Sequence, residues 1–216
     1  MANGISYLIY VGVLVLVVRE SARPEPVAGG YRSVLRDRPF IHLAITNVAL
    51  IAVGWGAFSW LVPPFASNNV GLGARLIGLL LLGNAATVVV AQVPVARFAE
   101  GRRRVAMMTV AAALFAAGFL LVTVSEFSGA AAYLELLTAA VTVGLGECFH
   151  ASALMPLAAD LAPAGLCGRY LAVMGFSWWI GLTTAPVLGA PLLGLSAPAT
   201  FLSTAAIALA ADAPPR

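Results

Sequence analysis

The sequence contains no lysine, and its 12 cationic residues, all arginines, and nine acidic residues leave only 10% of the chain charged. An ordinary soluble domain has roughly 25% charged residues. Hydrophobic residues make up 61% of this chain, and its mean hydropathy is +0.97. Such a composition excludes a soluble protein with a polar surface. The absence of lysine also excludes a retinal pump, which holds its chromophore as a Schiff base on a lysine.

Cysteine and histidine are scarce, with two of each. Cys148 and Cys167 are not placed for an extracellular disulfide, and we predict inert thiols. Glu147 and His150 form a Glu-x-x-His motif, the kind that binds paired iron in helical bundles. A di-iron site needs a second such motif, but only His42 remains. With no nucleophile–base pair or metal cluster in view, the sequence predicts neither an enzyme nor a cofactor.

Long apolar runs fill most of the chain. They are continuous rather than alternating, which favours membrane-spanning helices over the strands of a barrel. The sequence therefore predicts an all-α integral membrane protein with about seven transmembrane helices. The seven runs cover residues 3–18, 41–62, 72–96, 104–124, 131–156, 168–190 and 192–211.

Nearly all the arginines lie in every second gap between these runs. Because cationic loops stay in the cytoplasm during insertion, this alternation predicts an external N-terminus and a cytoplasmic C-terminus. Arg75, at the edge of the third run, is the exception. Five arginines follow the first run, four lie at the gap after the third, one follows the fifth and one ends the chain: Arg19, Arg23, Arg32, Arg36 and Arg38; Arg97, Arg102, Arg103 and Arg104; Arg169; Arg216.

Proline, glycine and charge mark one linker. We divide the chain into a first, partial transmembrane helix at residues 1–19, a cytoplasmic linker at 20–38 and a six-helix bundle at 39–216. Residues 1–19 lack the positive start and cleavage site of a signal peptide. Pro39 is expected to open the next helix. Glycines inside the predicted helices are expected to permit close helix contacts: Gly54, Gly56, Gly78, Gly83, Gly144, Gly146 and Gly181.

Several short motifs, in their order and spacing, resemble one transporter family. They are residues 31–40 leading into the second run, residues 95–104 with their Gly-Arg-Arg loop, the Gly-Glu pair at 146–147, residues 160–163 with the Gly-Arg-Tyr at 168–170, and residues 177–189. The chain resembles the C-terminal half of a major facilitator superfamily transporter, about helices 6–12, and its drug-exporting members in particular. By this correspondence, helices one to five of the family have no counterpart here.

The resemblance implies a secondary active transporter that exports small amphipathic compounds in exchange for protons. The alternative is a truncated, non-transporting membrane protein or a membrane subunit that needs a partner half. The expected partners are the lipid bilayer, a small-molecule substrate, and a missing N-terminal half or a second copy. Nucleic acid is not expected, because the arginines are dispersed among loops. The lysine-free, alanine- and glycine-rich composition favours a bacterial inner membrane.

Polar residues at membrane depth are the first candidates for function. Glu147 and His150 lie three residues apart, nearly on one helix face, and are candidates for proton coupling. Alternatively, they pair with each other or cap a kink. Asn47, Asn84 and Gln92 are candidates for the substrate path, or they make hydrogen bonds between helices. Trp55 either packs or stacks on a ligand.

The charged residues near the cytoplasmic ends are candidates for a gate, again by the resemblance. In the family these loops hold helix ends together by charge pairs. We expect Arg102 or Arg103 to pair with Asp160. Alternatively, the arginines only set the topology. The gate candidates are Arg97, Glu100, Arg102, Arg103, Asp160 and Arg169.

Overall fold

The structure, a computed structural model, describes residues 2–17, 30–163 and 165–211, and within them every regular element is helical. This confirms the predicted all-α fold. The helices are α1 (Ala2–Val17), α2 (Tyr31–Val34), α3 (Arg38–Ile51), α4 (Ala57–Asn68), α5 (Ala74–Ala99), α6 (Arg104–Ser125), α7 (Ala132–Leu161), α8 (Cys167–Leu195) and α9 (Ala197–Ala211). A π-helical turn, Ala52–Gly56, joins α3 to α4, and a 3₁₀ turn, Gly129–Ala131, precedes α7.

Five helical segments of the described chain are long and apolar enough to cross a membrane. They are Arg38–Asn68, Ala74–Ala99, Arg104–Ser125, Gly129–Leu161 and Cys167–Leu195. The predicted last run, 192–211, was wrong at its start. Residues 192–195 belong to α8, and extended backbone at Ser196 separates it from α9, which has 15 residues. Helix α1 has 16 residues. Most of the predicted linker, together with Arg19, Arg23 and Arg216, lies outside the described residues.

The start of α3 is fixed by its sequence. Pro39 lies in the first turn, as predicted, and the Asp37 carboxylate accepts a hydrogen bond from the backbone N–H of Phe40. The other carboxylate oxygen of Asp37 accepts a 2.7 Å hydrogen bond from the Tyr170 hydroxyl of α8. The rings of Phe40 and Tyr170 pack 4.4 Å apart. These contacts join α3 and α8 at the end of the bundle where the arginines cluster.

Glycines let α6 and α7 pack closely. The ring of Phe115, on α6, fits against Gly54 of the π-helical turn and Gly146 of α7. A Cβ atom at either glycine would lie less than 3.0 Å from that ring. Gly56, Gly83, Gly144 and Gly181 also have close neighbours, as predicted. The prediction was wrong for Gly78, where a Cβ would meet nothing within 4 Å because the surface of α5 there is open.

We predict that Gly146→Leu destabilises the protein by about 1–3 kcal/mol, the usual cost of overpacking a core. A Cβ at residue 146 would already lie 2.8 Å from the Phe115 ring and 3.3 Å from the carbonyl oxygen of Ala111. The matched control is Gly78→Leu, which adds the same side chain to open space. Unfolding of the purified variants in detergent measures the difference, and equal stabilities would contradict this description of the core.

Among the five long apolar segments, those of α5 and α8 are the least buried inside the bundle. In an 18-residue apolar stretch of α5, only 11% is buried inside the bundle. The corresponding share for α8 is 28%. Val89 on α5 is 77% exposed, and Phe176 and Val187 on α8 are 67% and 68% exposed. In a membrane these faces contact lipid or another protein.

Candidate functional site

Glu147 lies at the midpoint of α7, the depth at which a carboxylate is most costly in a bilayer. Its Oε1 atom accepts a 3.0 Å hydrogen bond from Nδ2 of Asn84, which is buried on α5. The same amide group donates to the backbone carbonyl of Ala140 at 3.2 Å. Gly144 makes this approach possible, because a Cβ there would lie 3.2 Å from Nδ2 of Asn84. Asn84 therefore joins two helices and holds the carboxylate.

A cavity of about 180 Å³ lies beside this carboxylate. Side chains of α3, the π-helical turn, α5, α6, α7 and α8 converge on it. Its lining consists of Ile51, Trp55, Val88, Gln92, Phe115, Glu147, His150, Ala151 and Trp178. The wall is mostly apolar, with three polar side chains, which is typical of a small-molecule site.

His150 lies on the same cavity and is 5% exposed. Its Nε2 atom is buried and has no hydrogen-bond partner among the described residues. The imidazole packs with its centroid 6.5 Å from that of Phe115. Glu147 bonds to Asn84 and not to His150, so the alternative in which the two residues pair with each other was wrong. Buried polar atoms without a partner are rare in folded proteins, so this nitrogen is a candidate for a functional hydrogen bond.

Two tryptophans form an aromatic wall of the cavity. Trp55 and Trp178 stack with ring centroids 5.1 Å apart and an interplanar angle of 24°. The π-helical turn carries Trp55, and Trp179 packs edge-on against Trp178. Sequence reasoning left a stacking role open for Trp55 but missed Trp178. The neighbouring Trp178 and Trp179 gave no signal of their own, because the sequence does not show which one faces inward.

The other two candidates for the substrate path, Gln92 and Asn47, lie in different parts of the bundle. Gln92 lines the cavity and donates from Nε2 to the hydroxyl of Ser152 at 3.4 Å. Asn47 is fully buried elsewhere, where its Nδ2 donates to the hydroxyl of Ser177 at 2.8 Å between α3 and α8. Asn84, Asn47 and Gln92 all make the hydrogen bonds between helices that were predicted as the alternative, and Gln92 also lines the cavity.

At the arginine-bearing end, the predicted partner of Asp160 was wrong. Arg104, the first residue of α6, forms the ion pair with Asp160, with Nη1 and Oδ2 2.6 Å apart. Arg102 instead donates from Nε to the carbonyl of Phe98 at 2.9 Å, and its guanidinium lies 3.9 Å from the Phe98 ring centroid. Gly101, with φ of 71°, makes the turn that directs Arg102 back onto α5.

The other gate candidates lie at the same end of the bundle. Arg97 is in the last turn of α5, Arg103 immediately precedes α6, and Arg169 is in the first turn of α8. Glu100 lines a second, polar cavity together with Arg102 and Arg104. Within the residues that the structure describes, no three histidine, cysteine or acidic side chains are grouped to hold a metal ion.

Apolar helices of membrane-spanning length around a polar site at mid-depth define a multi-pass helical membrane protein. Residues 43–213 match the family model of the Major Facilitator Superfamily. The chain belongs to that superfamily. It is also similar to YqjV of Bacillus subtilis strain 168, described as an uncharacterised MFS-type transporter, with 25% identity over 157 residues. The similarity covers 68% of this chain and 37% of that relative.

Proposed function

We propose that the protein supplies one half of a secondary active transporter that exports small amphipathic compounds in exchange for protons. The observation that carries the proposal is the Glu147 carboxylate, which lies at mid-depth, bonded to Asn84 and open to the cavity. Ionisable groups inside membrane proteins commonly mark ion pathways and proton relays. Because Asn84 donates to one carboxylate oxygen, Glu147 can keep this contact whether or not its other oxygen carries a proton.

The cavity also suits the proposed class of substrate. Trp55 and Trp178 offer flat apolar surface, and Glu147, His150 and Gln92 offer polar contacts on the same lining. A compound with an apolar body and a polar or cationic end matches both parts, since tryptophan faces also attract cations. The direction of transport rests on the resemblance to drug-exporting members of the family.

The proposal that the chain is one half of a transporter rests on the surfaces of α5 and α8 that the bundle leaves uncovered. The chain spans about 37% of the length of the relative it matches, and α5 and α8 are apolar on faces that the bundle does not cover. In this superfamily, two similar halves related by an axis along the membrane normal enclose the substrate site. A separate N-terminal half or a second copy would cover these faces. The same surfaces favour the second candidate, a membrane subunit that is inactive without its partner.

We further propose that the C-terminus is cytoplasmic, that the N-terminus is external, and that the protein resides in a bacterial inner membrane. The arginines at residues 97–104 then lie in the cytoplasm. A reporter fused after Arg104 is expected to report the cytoplasm, and one fused after Ser128 the outside. The opposite pattern would contradict this orientation.

Transport itself is tested in everted membrane vesicles from cells that make the chain in its natural assembly. Ethidium, a small fluorescent amphipathic cation, serves as the probe. We expect an imposed pH gradient, acidic inside, to drive ethidium accumulation that a protonophore abolishes. The control is vesicles from cells that lack the gene. Equal accumulation in both preparations, or accumulation that the protonophore leaves unchanged, would contradict the proposed activity.

A further inference from the structure

We propose that a polar route between α5 and α7 carries protons between Glu147 and the arginine-bearing end of the bundle, and that Gln92 and Ser152 form its narrowest point. This proposal rests on the proposed role of Glu147 as proton carrier. It goes beyond that role because it names the side of the membrane with which the carboxylate exchanges its proton and the residues through which it does so.

The route begins with two cavities, and one hydrogen bond links a lining residue of the first to a lining residue of the second. Glu147 and Gln92 line the cavity of about 180 Å³, and Ser152 lines the second cavity, of about 460 Å³. The Gln92 amide donates to the Ser152 hydroxyl between them at 3.4 Å. Glu100 and Arg104 on the second cavity place it at the end of α5 and the start of α6. A site needs only about 10–15 Å³ of such volume per water, so both cavities have room for several.

A proline frees one backbone carbonyl in the helix that lines the second cavity. Pro156 lies inside α7 and lines this cavity. Because proline has no N–H, the carbonyl of Ser152, four residues earlier, loses its usual helical donor. The Ser152 hydroxyl donates to the carbonyl of Cys148 at 2.7 Å while it accepts from Gln92. Backbone groups freed at membrane depth are tolerated where they line a water-filled cavity, so this wall favours water.

The proton balance is simple. The O–H bond of the protonated Glu147 carboxyl breaks, its electrons remain on the carboxylate, and the proton joins a water molecule of the first cavity. It then passes the Gln92–Ser152 contact along water molecules that accept from the Gln92 amide and donate to the Ser152 hydroxyl, and it leaves through the second cavity as hydronium. Among the residues lining the first cavity, His150 is the other titratable group, and Cys148 adjoins Glu147 on α7. The segments α3, α5, α6 and α8 contribute no charged side chain to that lining.

The experiment measures how fast Glu147 exchanges its proton in the purified chain. The chain is placed in phosphatidylcholine nanodiscs, where lipid covers its open faces. Infrared spectra after a pH jump follow the carboxyl band that is lost in Glu147→Gln. Gln92→Leu and Ser152→Ala, singly and together, remove the polar contact. Ser152→Thr keeps the hydroxyl, and Thr138→Val removes a hydroxyl that lies elsewhere on α7, bonded to the Leu134 carbonyl.

Positioned groups contribute about 10²–10⁴-fold to proton transfer, so we expect the double variant to slow exchange at least about tenfold. The pH midpoint of the band should stay the same, because the route affects rate and not equilibrium. Ser152→Thr and Thr138→Val should exchange like the wild type. If the double variant does not fold, the proton exchange rate of Ser152→Ala alone tests the route.

The outcomes separate the route from the proposed function. A band that titrates but exchanges at the wild-type rate in the Gln92 and Ser152 variants overturns the route and leaves Glu147 as a proton carrier. Equal slowing in Thr138→Val also overturns it, because the effect would then not depend on the Gln92–Ser152 contact. A spectrum with no titrating Glu147 band, across the range where carboxyl groups and histidines titrate, overturns both.

Discussion

Vesicles that contain only the purified 216-residue chain are expected to show no proton-driven flux of ethidium. Alternating access in this superfamily requires one half to rock against the other around a site near the midplane. In this chain, the cavity beside Glu147 is built from one bundle, and the apolar faces of α5 and α8 remain uncovered. Without an opposing surface, the cavity has no second half to open and close against.

The measurement compares three vesicle preparations under the same pH gradient. They contain no protein, the purified chain, or the natural assembly extracted from its membrane. We expect the chain to match the empty vesicles and the natural assembly to exceed both. Robust proton-dependent flux from the chain alone would contradict its description as half of a transporter.

Much of the fold was predictable because hydropathy depends on composition and not on contacts. The run 104–124 became α6, Arg104–Ser125, almost without change. The run 192–211 was placed correctly at its end but wrongly at its start, because apolar residues continue across the break at Ser196 and hydropathy does not detect a junction between two apolar helices. The π-helical turn at Ala52–Gly56 was also missed, since its residues are ordinary for a membrane helix.

The candidate site was predictable in its polar members and not in its apolar ones. Glu147 and His150 stand out because charged and titratable residues are rare at membrane depth. Asn84 bonds to Glu147, whereas Asn47 bonds to Ser177. The difference depends on which helices are neighbours, and the sequence around each asparagine does not determine which helices those are. The Trp55–Trp178 stack joins two distant segments, so no local pattern predicts it.

The ion pair between Arg104 and Asp160 shows a different limit of prediction from sequence. Arg102, Arg103 and Arg104 are consecutive, and any of them lies within reach of Asp160 on sequence grounds alone. The turn at Gly101 directs Arg102 toward Phe98, and the first turn of α6 presents Arg104 to α7. Because Asp160 is exposed and Arg104 is only partly buried, the pair is expected to contribute no more than about 1 kcal/mol to stability. A role of this ion pair in gating would therefore require that the pair forms in one transport state and is broken in another.

Glu147→Gln tests the central claim, that Glu147 carries the coupling proton. Glutamine keeps the size of the side chain and can still accept from Nδ2 of Asn84, but it cannot bind and release a proton. In the natural assembly, we therefore expect ethidium flux driven by a pH gradient to fall at least about a hundredfold, the scale of loss of a proton-transfer group. Exchange of ethidium across the membrane without a gradient should remain measurable, because binding survives.

Two variants provide controls for this measurement. His150→Gln is expected to have a smaller effect, because a neighbouring histidine can adjust how a carboxylate titrates without carrying the proton itself. Glu135→Gln, in the first turn of α7, removes a carboxylate from the same helix far from the cavity and should leave flux unchanged.

The decisive measurement is thus the ratio of gradient-driven flux to exchange, determined for the wild type and for Glu147→Gln in the same vesicles. If Glu147 is the proton carrier, the ratio collapses in Glu147→Gln and is retained in Glu135→Gln. Full gradient-driven flux in Glu147→Gln would show that Glu147 is a packing partner of Asn84 and that the coupling residue lies elsewhere in the assembly.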